Sequence, residues 1–244
     1  DDATRDQYLA MLPACSKGRQ ERQFVFRGNI PSILPDHPEI TPLLDTSTWP
    51  TDPELHIHLG DPIAIKRSTF VPMQRQSASN IMLVGQHSEC AQAIQIATLL
   101  QAAAVLKPTE NPHTPGLMVW LLDGLPPDAS FGGRLANFAQ QLPHHVTRVS
   151  AQNAEEELQR LGNILSERQT DHSNGATILL LGLDTHRLSS LRPKEDDFMM
   201  SMREDGPVHP AKHLADLLRD GPALGIHSLL WFDALNNMLR GLDR

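Results

Sequence analysis

The sequence predicts an α/β fold built on a doubly wound, mostly parallel sheet with helices on both faces. Residues 79–100 join a short apolar block, a turn at Gly85 and a segment with helical spacing of apolar residues. Residues 117–123 and 176–183 are almost uninterrupted apolar runs, which are typical of strands buried on both faces of a parallel sheet. Strand-like and helix-like segments then alternate along the rest of the chain, as a doubly wound sheet requires.

Composition limits the classes of function. The 244 residues, 40% hydrophobic and 20% charged, describe a globular chain long enough to bury a sizeable core. A formal net charge of −8 argues against general electrostatic attraction to nucleic acid. No apolar run reaches the roughly 18 residues of a membrane helix, and no signal peptide is visible, so we expect a cytoplasmic protein whose 244 residues make no membrane contact. Cys15 and Cys90 are too few for a disulfide framework.

The first part of the chain, residues 1–61, is predicted to be an extension with a short helix and β strands. The helix is expected over residues 6–12 and one strand over 23–26, before a proline-rich loop. Residues 54–59 alternate with period two, which predicts a half-buried strand with Leu55, Ile57 and Leu59 on its inner face. His56 and His58 then lie on the polar face, where an exposed pair of histidines is favoured over two ligands of a metal site.

The second part, residues 62–244, is predicted to be the main domain. After the strands already named, the pattern predicts helices over residues 134–142, 154–167, 213–218 and 234–242, and strands over 146–149 and 226–232. Residues 192–205 are predicted to form a charged surface loop, in which residues 198–202 are rich in methionine. Because the chain begins with Asp1 and ends on a helix-like segment, we expect it to be part of a longer protein.

The turn after the first core strand has the position of a phosphate-binding loop. In P-loop nucleotidases this turn is GxxxxGK[ST], with backbone N–H groups and a Lys around the phosphates and a Ser or Thr hydroxyl on Mg²⁺. The first Gly is kept here, but Cys90, Ala91 and Gln92 replace the second Gly, the Lys and the Ser/Thr. The candidate nucleotide-binding residues are Gly85, Gln86, His87, Ser88, Glu89, Cys90, Ala91 and Gln92.

The order of the segments from residue 62 to 244 resembles the RecA-like P-loop domain of the FtsK/SpoIIIE (HerA-related) DNA translocases. The segment most specific to that family, after the loop itself, is Gly225-Ile226-His227, which leads into an apolar strand with Asp233 at its tip. The other matching segments are residues 121–125, 142–145, 165–168, 178–184 and 218–224. The resemblance implies ATP and Mg²⁺ as cofactors, a hexameric ring as assembly, and DNA as a partner of the parent protein.

Departures from the family pattern indicate a degenerate domain. In the family, the second acidic motif supplies one carboxylate near Mg²⁺ and another that activates the attacking water. Here Asp184 is followed by Thr185, so the second carboxylate is missing together with the Lys and Ser/Thr of the loop. Charge neutralisation and positioning supply most of phosphoryl-transfer catalysis, so we expect no catalytic residues and no bound cofactor, with ATP and Mg²⁺ retained only by a still competent loop.

Three functions remain open on this resemblance. The first is a non-hydrolysing module for assembly, regulation or protein contact, with other domains of a larger parent chain as partners. The second is an active ATP-dependent DNA-translocating motor domain, so enzymatic activity is not decided by the sequence. The third is a substrate-binding degenerate ATPase domain of a system like type VII secretion, for which an apolar pocket would be the diagnostic feature.

Further polar residues have both a functional and a structural interpretation. Asp123 and Asp184 lie at the carboxyl ends of predicted core strands, where α/β sheets bind ligands, but carboxylates there also cap helices and turns. His209 and His213 have helical spacing, but Pro210 occupies the position of a catalytic Glu. For Cys90 a buried small apolar role is favoured over a reactive thiol, and no metal site is predicted.

Overall fold

A computed structural model describes residues 2–15, 37, 39–60, 68–126, 129, 133–171, 175–188, 191 and 209–242. The predicted strand at 23–26 and the predicted loop at 192–205, with its methionine-rich segment, lie outside these residues. Within them, no helix is long and apolar enough to cross a membrane.

The centre of the molecule is a five-stranded parallel sheet, which confirms the predicted α/β class. Its strands are β3 (Ile81–Val84), β4 (Leu117–Asp123), β5 (His145–Val149), β6 (Thr177–Leu183) and β7 (Ile226–Phe232). Their order across the sheet is β3-β7-β6-β4-β5, and every neighbouring pair is parallel. The strands predicted for the main sheet therefore form, with bounds that differ by at most two residues, and the arrangement is consistent with a RecA-like P-loop fold.

Helices cover both faces of the sheet because residues of β4, β6 and β7 alternate between two apolar cores. One core packs beneath α3 (Ser88–Val105) and α4 (Arg134–Ala139), and the other beneath α5 (Ala154–Asp171) and α6 (Pro210–Asp220). On β4, for example, Val119 and Leu121 enter the first core while Trp120 and Leu122 enter the second. A last helix, α7 (Leu235–Leu242), follows β7, and α1 (Asp2–Cys15) and the short α2 (Thr41–Leu44) belong to the front of the chain.

A small antiparallel hairpin leans on the first core. It consists of β1 (His56–Gly60) and β2 (Thr69–Pro72), and Leu55, Ile57 and Met73 enter the same core as α3. β1 lies before the predicted domain boundary at residue 61 and β2 lies after it. The hairpin and the sheet therefore share one hydrophobic core.

The prediction for the faces of β1 is wrong at two positions. Leu59 is 38% exposed, whereas His58 is buried at 7% exposure. The register of the hairpin shifts between His58 and Gly60, so the strict alternation of inner and outer side chains ends there. His58 is therefore not an exposed surface histidine: its backbone N–H and C=O are bonded by the buried amide of Gln101, and its Nδ1 lies 3.2 Å from Glu39 Oε2.

A buried arginine fastens the amino-terminal edge of the sheet. The guanidinium of Arg168, on α5, is fully buried and donates to the carbonyl oxygens of Pro112, Ala176 and Leu224 at 2.8 Å each. Arg75 donates to the carbonyl oxygens of Gly175 and Leu224 in the same region. Burial and the neighbouring Arg75 charge lower the pKa of Arg168 to about 10, which still leaves it charged at neutral pH.

Candidate functional site

The polar ends of the core strands meet at the carboxyl edge of the sheet. β3, β7 and β6 are successive neighbours and are directly followed by Gly85, Asp233 and Asp184, respectively; the next strand, β4, ends in Asp123. Ligands of open α/β sheets bind at this edge, beyond the carboxyl ends of the strands. The sheet order thus gathers the predicted residues from four separate parts of the sequence.

Asp184 is the most enclosed carboxylate of this edge. It is 3% exposed and adopts a left-handed backbone conformation with φ of 47° at the end of β6. Its Oδ2 forms an ion pair with Arg187, at 3.0 Å from Nε, while its Oδ1 has no hydrogen-bond partner. Burial raises the pKa of Asp184 above its ordinary value, and the charges of Arg187 and His186 oppose that rise.

Asp233 shares its partners with Asp184. The imidazole of His186 has Nδ1 at 4.0 Å from Asp184 Oδ1 and Nε2 at 3.7 Å from Asp233 Oδ1. Arg187 NH2 lies 3.9 Å from Asp233 Oδ2, and Asn237 on α7 donates to Asp233 Oδ1 at 2.6 Å. The two predicted aspartates are therefore brought into one cluster.

Asp123 stands apart from that cluster and has a structural role. Its Oδ1 accepts from the backbone N–H of Leu125 at 3.2 Å, and its Oδ2 pairs with Arg148 at 2.8 Å. Both carboxylate oxygens thus hold the chain around the end of β4. Of the two interpretations for this residue, the structure favours turn stabilisation.

The predicted phosphate loop is shorter in the structure than its eight-residue pattern. β3 ends at Val84 and α3 begins at Ser88, so only Gly85, Gln86 and His87 connect them. Gly85 is held between the ends of the strands, since its N–H donates to Phe232 O at 3.0 Å and its carbonyl accepts from Trp231 Nε1 at 2.8 Å. The remaining candidates, Ser88, Glu89, Cys90, Ala91 and Gln92, form the first turns of the helix.

These residues do not fit a nucleotide phosphate with its Mg²⁺. Ala91 and Gln92, at the positions of the Lys and the Ser/Thr, are 4% and 2% exposed and face the protein interior. Glu89 adds a negative charge to the first turn of α3, where the helix dipole would otherwise attract a phosphate. A connection of residues 85–87 also offers few backbone N–H groups to surround an anion.

Cys90 differs from its expected environment, and Gln92 is buried with unpaired polar atoms. Cys90 is an exposed free cysteine, so the prediction of a buried small apolar residue is wrong. The helix turns Cys90 outward because Ala91 and Gln92 take the positions that face the core. Neither polar atom of the buried Gln92 amide has a hydrogen-bond partner, and the side chain lines a cavity of about 10 Å³ beside Asp123 and Arg148.

Sequence reasoning missed His186 and Arg187. They lie in the short 3₁₀ turn Thr185–Arg187 directly after β6, and both contact the two aspartates. The run of polar residues immediately after an apolar strand was an available signal. The partner Asp233 could not be inferred from it, because β7 follows β6 only after a long insertion and its adjacency depends on strand order.

The other histidine candidates have structural roles. His209 caps α6, since its Nδ1 accepts from the backbone N–H of Ala211 at 3.1 Å. His213 packs against Gly162 of α5, and burial lowers the pKa of His213. His209 thus caps the start of α6, and His213 lies where α6 packs on α5.

A second concave feature lies away from the carboxyl edge. A groove of about 240 Å³ runs between α2 with its following loop, α3 and the segment before β5. Trp49 forms part of its wall and donates Nε1 to Ala103 O at 2.9 Å, and its ring meets that of His144 edge to face. The lining is mainly apolar and consists of Leu43, Leu44, Trp49, Leu100, Ala103, Ala104, Leu142 and Pro143, with Thr46, Ser47, Thr48 and His144.

Fold and site together define an α/β domain with a parallel sheet and a carboxylate cluster at its carboxyl edge. Comparison with protein-family models and with curated protein sequences finds no match. Among solved structures, the chain is similar to the cytoplasmic domain of the Thermomonospora curvata type VII secretion ATPase EccC. The identity is 13% and the TM-score 0.42, and the alignment covers 73% of this chain and 18% of the EccC chain.

Proposed function

We propose that this chain is an FtsK/SpoIIIE-like P-loop domain that does not hydrolyse nucleotide and serves assembly, regulation or protein contact within a larger translocase. One observation carries the proposal: α3 begins at Ser88, so the positions of the phosphate-binding Lys and the Mg²⁺-binding hydroxyl are buried in its first turns. The family-like order of segments in the sequence supports the choice of family. Other domains of the parent chain, and a hexameric ring built with them, are the partners of this function, and DNA is contacted through the parent protein.

Calorimetric titration with ATP and with a non-hydrolysable analogue, each with and without Mg²⁺, tests this function. We expect no binding heat and no thermal stabilisation at millimolar nucleotide, because a ligand that binds the folded state must raise its stability. The variant Glu89→Gln removes the charge that opposes a phosphate at the start of α3. We expect it to remain without affinity, since the buried positions 91 and 92 are unchanged.

The active motor domain is the alternative that this experiment can establish. It requires nucleotide binding through backbone amides of residues 85–88. Micromolar affinity with Mg²⁺ dependence, strengthened further by Glu89→Gln, would contradict the non-hydrolysing function. ATP turnover by the chain or by its parent protein with this domain intact would then have to be measured.

Substrate capture, as in a type VII secretion-like system, is a second candidate function, and the groove beside Trp49 favours it. A concave apolar surface suits the side chains of a peptide, and Trp49 is 43% exposed while Trp120 and Trp231 are buried. Binding of an amphipathic peptide should therefore change mainly the Trp49 fluorescence. Ala104→Phe would fill the groove and abolish that change, whereas Ala93→Phe, on the exposed side of α3, would not.

A further inference from the structure

Three potential metal ligands converge where β6 and β7 end. Asp184, His186 and Asp233 each offer one atom, and these three atoms lie within 4.8 Å of one another. Asp184 and His186 flank one residue of the turn after β6, and Asp233 follows the neighbouring strand β7. The cluster therefore rests on two hydrogen-bonded strands of the core.

Two atoms of this cluster are buried without hydrogen bonds. Asp184 Oδ1 and His186 Nδ1 are both inaccessible to solvent and unpartnered, and they lie 4.0 Å apart. Buried polar atoms in folded proteins almost always have a partner, so a facing pair of this kind requires an explanation. An anionic oxygen opposite a ring nitrogen, each with a lone pair to offer, is satisfied by a cation between them.

We propose that Asp184, His186 and Asp233 bind one divalent transition-metal ion of the Zn²⁺ type. One imidazole and two carboxylates are ligands of zinc, and three protein ligands leave the fourth tetrahedral position for water. The imidazole distinguishes this site from a Mg²⁺ site, because Mg²⁺ takes oxygen ligands almost exclusively. The inference goes beyond the proposed function and requires no nucleotide.

The surroundings hold the ligands in suitable positions. Arg187 bonds Asp184 through Oδ2 and leaves Oδ1 to the metal, and Asn237 fixes Asp233 while the oxygen that it contacts keeps a second lone pair. Such outer contacts orient metal ligands in characterised sites. Tetrahedral zinc bonds of about 2.0 to 2.1 Å require ligand atoms about 3.4 Å apart, so the cluster must contract. The side chain of Asp233, 31% exposed, has the freedom to move inward.

The local charge also favours a cation. Two carboxylates face the single guanidinium of Arg187, which leaves a net negative charge when His186 is neutral. The competing explanation is a protonated His186 that donates to Asp184 and Asp233. That state makes both ring nitrogens donors and excludes a metal bond from either.

Zinc titration of the whole chain, first stripped of metal with a chelator, tests the site by calorimetry and by competition with a chromophoric chelator. We expect one tight equivalent, and Co²⁺ in its place should give the visible absorption of a tetrahedral complex. His186→Gln and Asp233→Asn should each abolish that equivalent or weaken it at least about tenfold. Asp184→Asn, whose side chain tolerates the left-handed backbone, provides a third variant.

A further variant controls for zinc binding at other sites of the chain, by replacing another histidine that lies beside an acidic residue. The chain has 12 histidines, and His113 lies 3.6 Å from Glu167 at an exposed position. His113→Gln should leave the tight equivalent and the Co²⁺ spectrum unchanged, and circular dichroism should show that every variant is folded. Absence of a tight equivalent, or its persistence in both His186→Gln and Asp233→Asn, would overturn the proposal. An imidazolium signal of His186 in NMR spectra at pH 7 that added Zn²⁺ does not displace would also overturn it.

Discussion

At the scale of single residues, buried glutamine side chains of α3 form hydrogen bonds with backbone groups of the strands that pack against it. The side chain of Gln101 accepts from His58 N–H at 2.8 Å and donates to His58 C=O at 3.2 Å, so it joins the hairpin to α3 as a neighbouring strand would. Gln95 on the same helix donates to Gly182 O of β6 at 2.7 Å. These two buried glutamines of α3 therefore attach the helix to both the hairpin and the parallel sheet.

Replacement of Gln101 by Leu should destabilise the protein by about 2 to 6 kcal/mol. The change keeps the volume but leaves two backbone groups of His58 buried without partners, at about 1 to 3 kcal/mol each. Urea unfolding measured by circular dichroism checks the value. Gln159→Leu, on the exposed face of α5, is the matched control and should change the free energy of unfolding by less than about 0.5 kcal/mol. Equal effects of the two substitutions would show that the Gln101 bonds contribute nothing.

Arg168 gives a second prediction at this scale. Arg168→Met should lower the free energy of unfolding by at least about 3 kcal/mol, because three carbonyl oxygens lose a charged donor inside the protein. The measurement is again urea unfolding. Arg160→Met, on the exposed side of the same helix, should cost far less. A small effect of Arg168→Met would mean that water replaces the guanidinium at those carbonyls.

At the scale of elements, the sequence predicted the strands and helices of the main domain well. Residues 117–122 are all apolar, residues 226–232 are buried throughout although they include His227 and Ser228, and α5 repeats Leu158, Leu161 and Leu165 on one face. Burial therefore dictates the structure of these segments. The turn after β3 was less predictable. α3 starts at Ser88 because Ala91 and Gln92 are buried as part of its first turns. An eight-residue sequence pattern carries no information on that burial, so it does not predict the helix start.

This helix start predicts the failure of a simple repair of the loop. Ala91→Lys with Gln92→Ser recreates the Lys and the hydroxyl of the family pattern, but it places an ammonium group where Ala91 is 4% exposed. We expect no gain in ATP affinity by calorimetry. We also expect a loss of several kcal/mol in the free energy of unfolding, because a buried charge without a partner is expensive.

Cys90→Lys is the control for that double variant. Cys90 is exposed on the adjacent position of the same helix turn, so an ammonium group there remains hydrated. Its effect on stability should stay within about 0.5 kcal/mol. Micromolar ATP affinity in the double variant would show instead that the first turn of α3 can open into a phosphate loop.

At the scale of the whole molecule, strand order decides which residues meet, and the sequence does not reveal strand order. Asp184 and Asp233 contact the same His186 because β7 lies between β3 and β6 in the sheet. The hairpin register is a similar case, since its shift after His58 buries a histidine that strict alternation places outside. Buried histidines of this kind make the stability of the whole molecule depend on pH.

Burial lowers the pKa of His58, His144, His213 and His227 below the ordinary value of 6.5. Below that pH the unfolded chain binds more protons at these residues than the folded chain does, so the free energy of unfolding falls as pH falls. Their stabilising contribution is complete above about pH 6.5 and is lost as pH falls through their folded-state pKa values. The raised pKa of Asp184 has the opposite effect. Its contribution to the free energy of unfolding is complete below its ordinary pKa of 3.8 and is lost as pH rises through its folded-state pKa.

We therefore expect the free energy of unfolding, measured in urea at a series of pH values, to decrease steadily from pH 7.5 to pH 5. His227 should contribute strongly, because it is 1% exposed, donates Nδ1–H to Ser79 O at 2.9 Å and would carry its charge near Arg75. His227→Gln should make the pH dependence shallower whatever it does to stability at pH 7.5, since glutamine does not titrate. Gln159→Leu, which removes no titratable group, is the control and should leave the slope unchanged. An unchanged slope in His227→Gln would mean that the folded protein admits the imidazolium at this position, and hence that water reaches the start of β7.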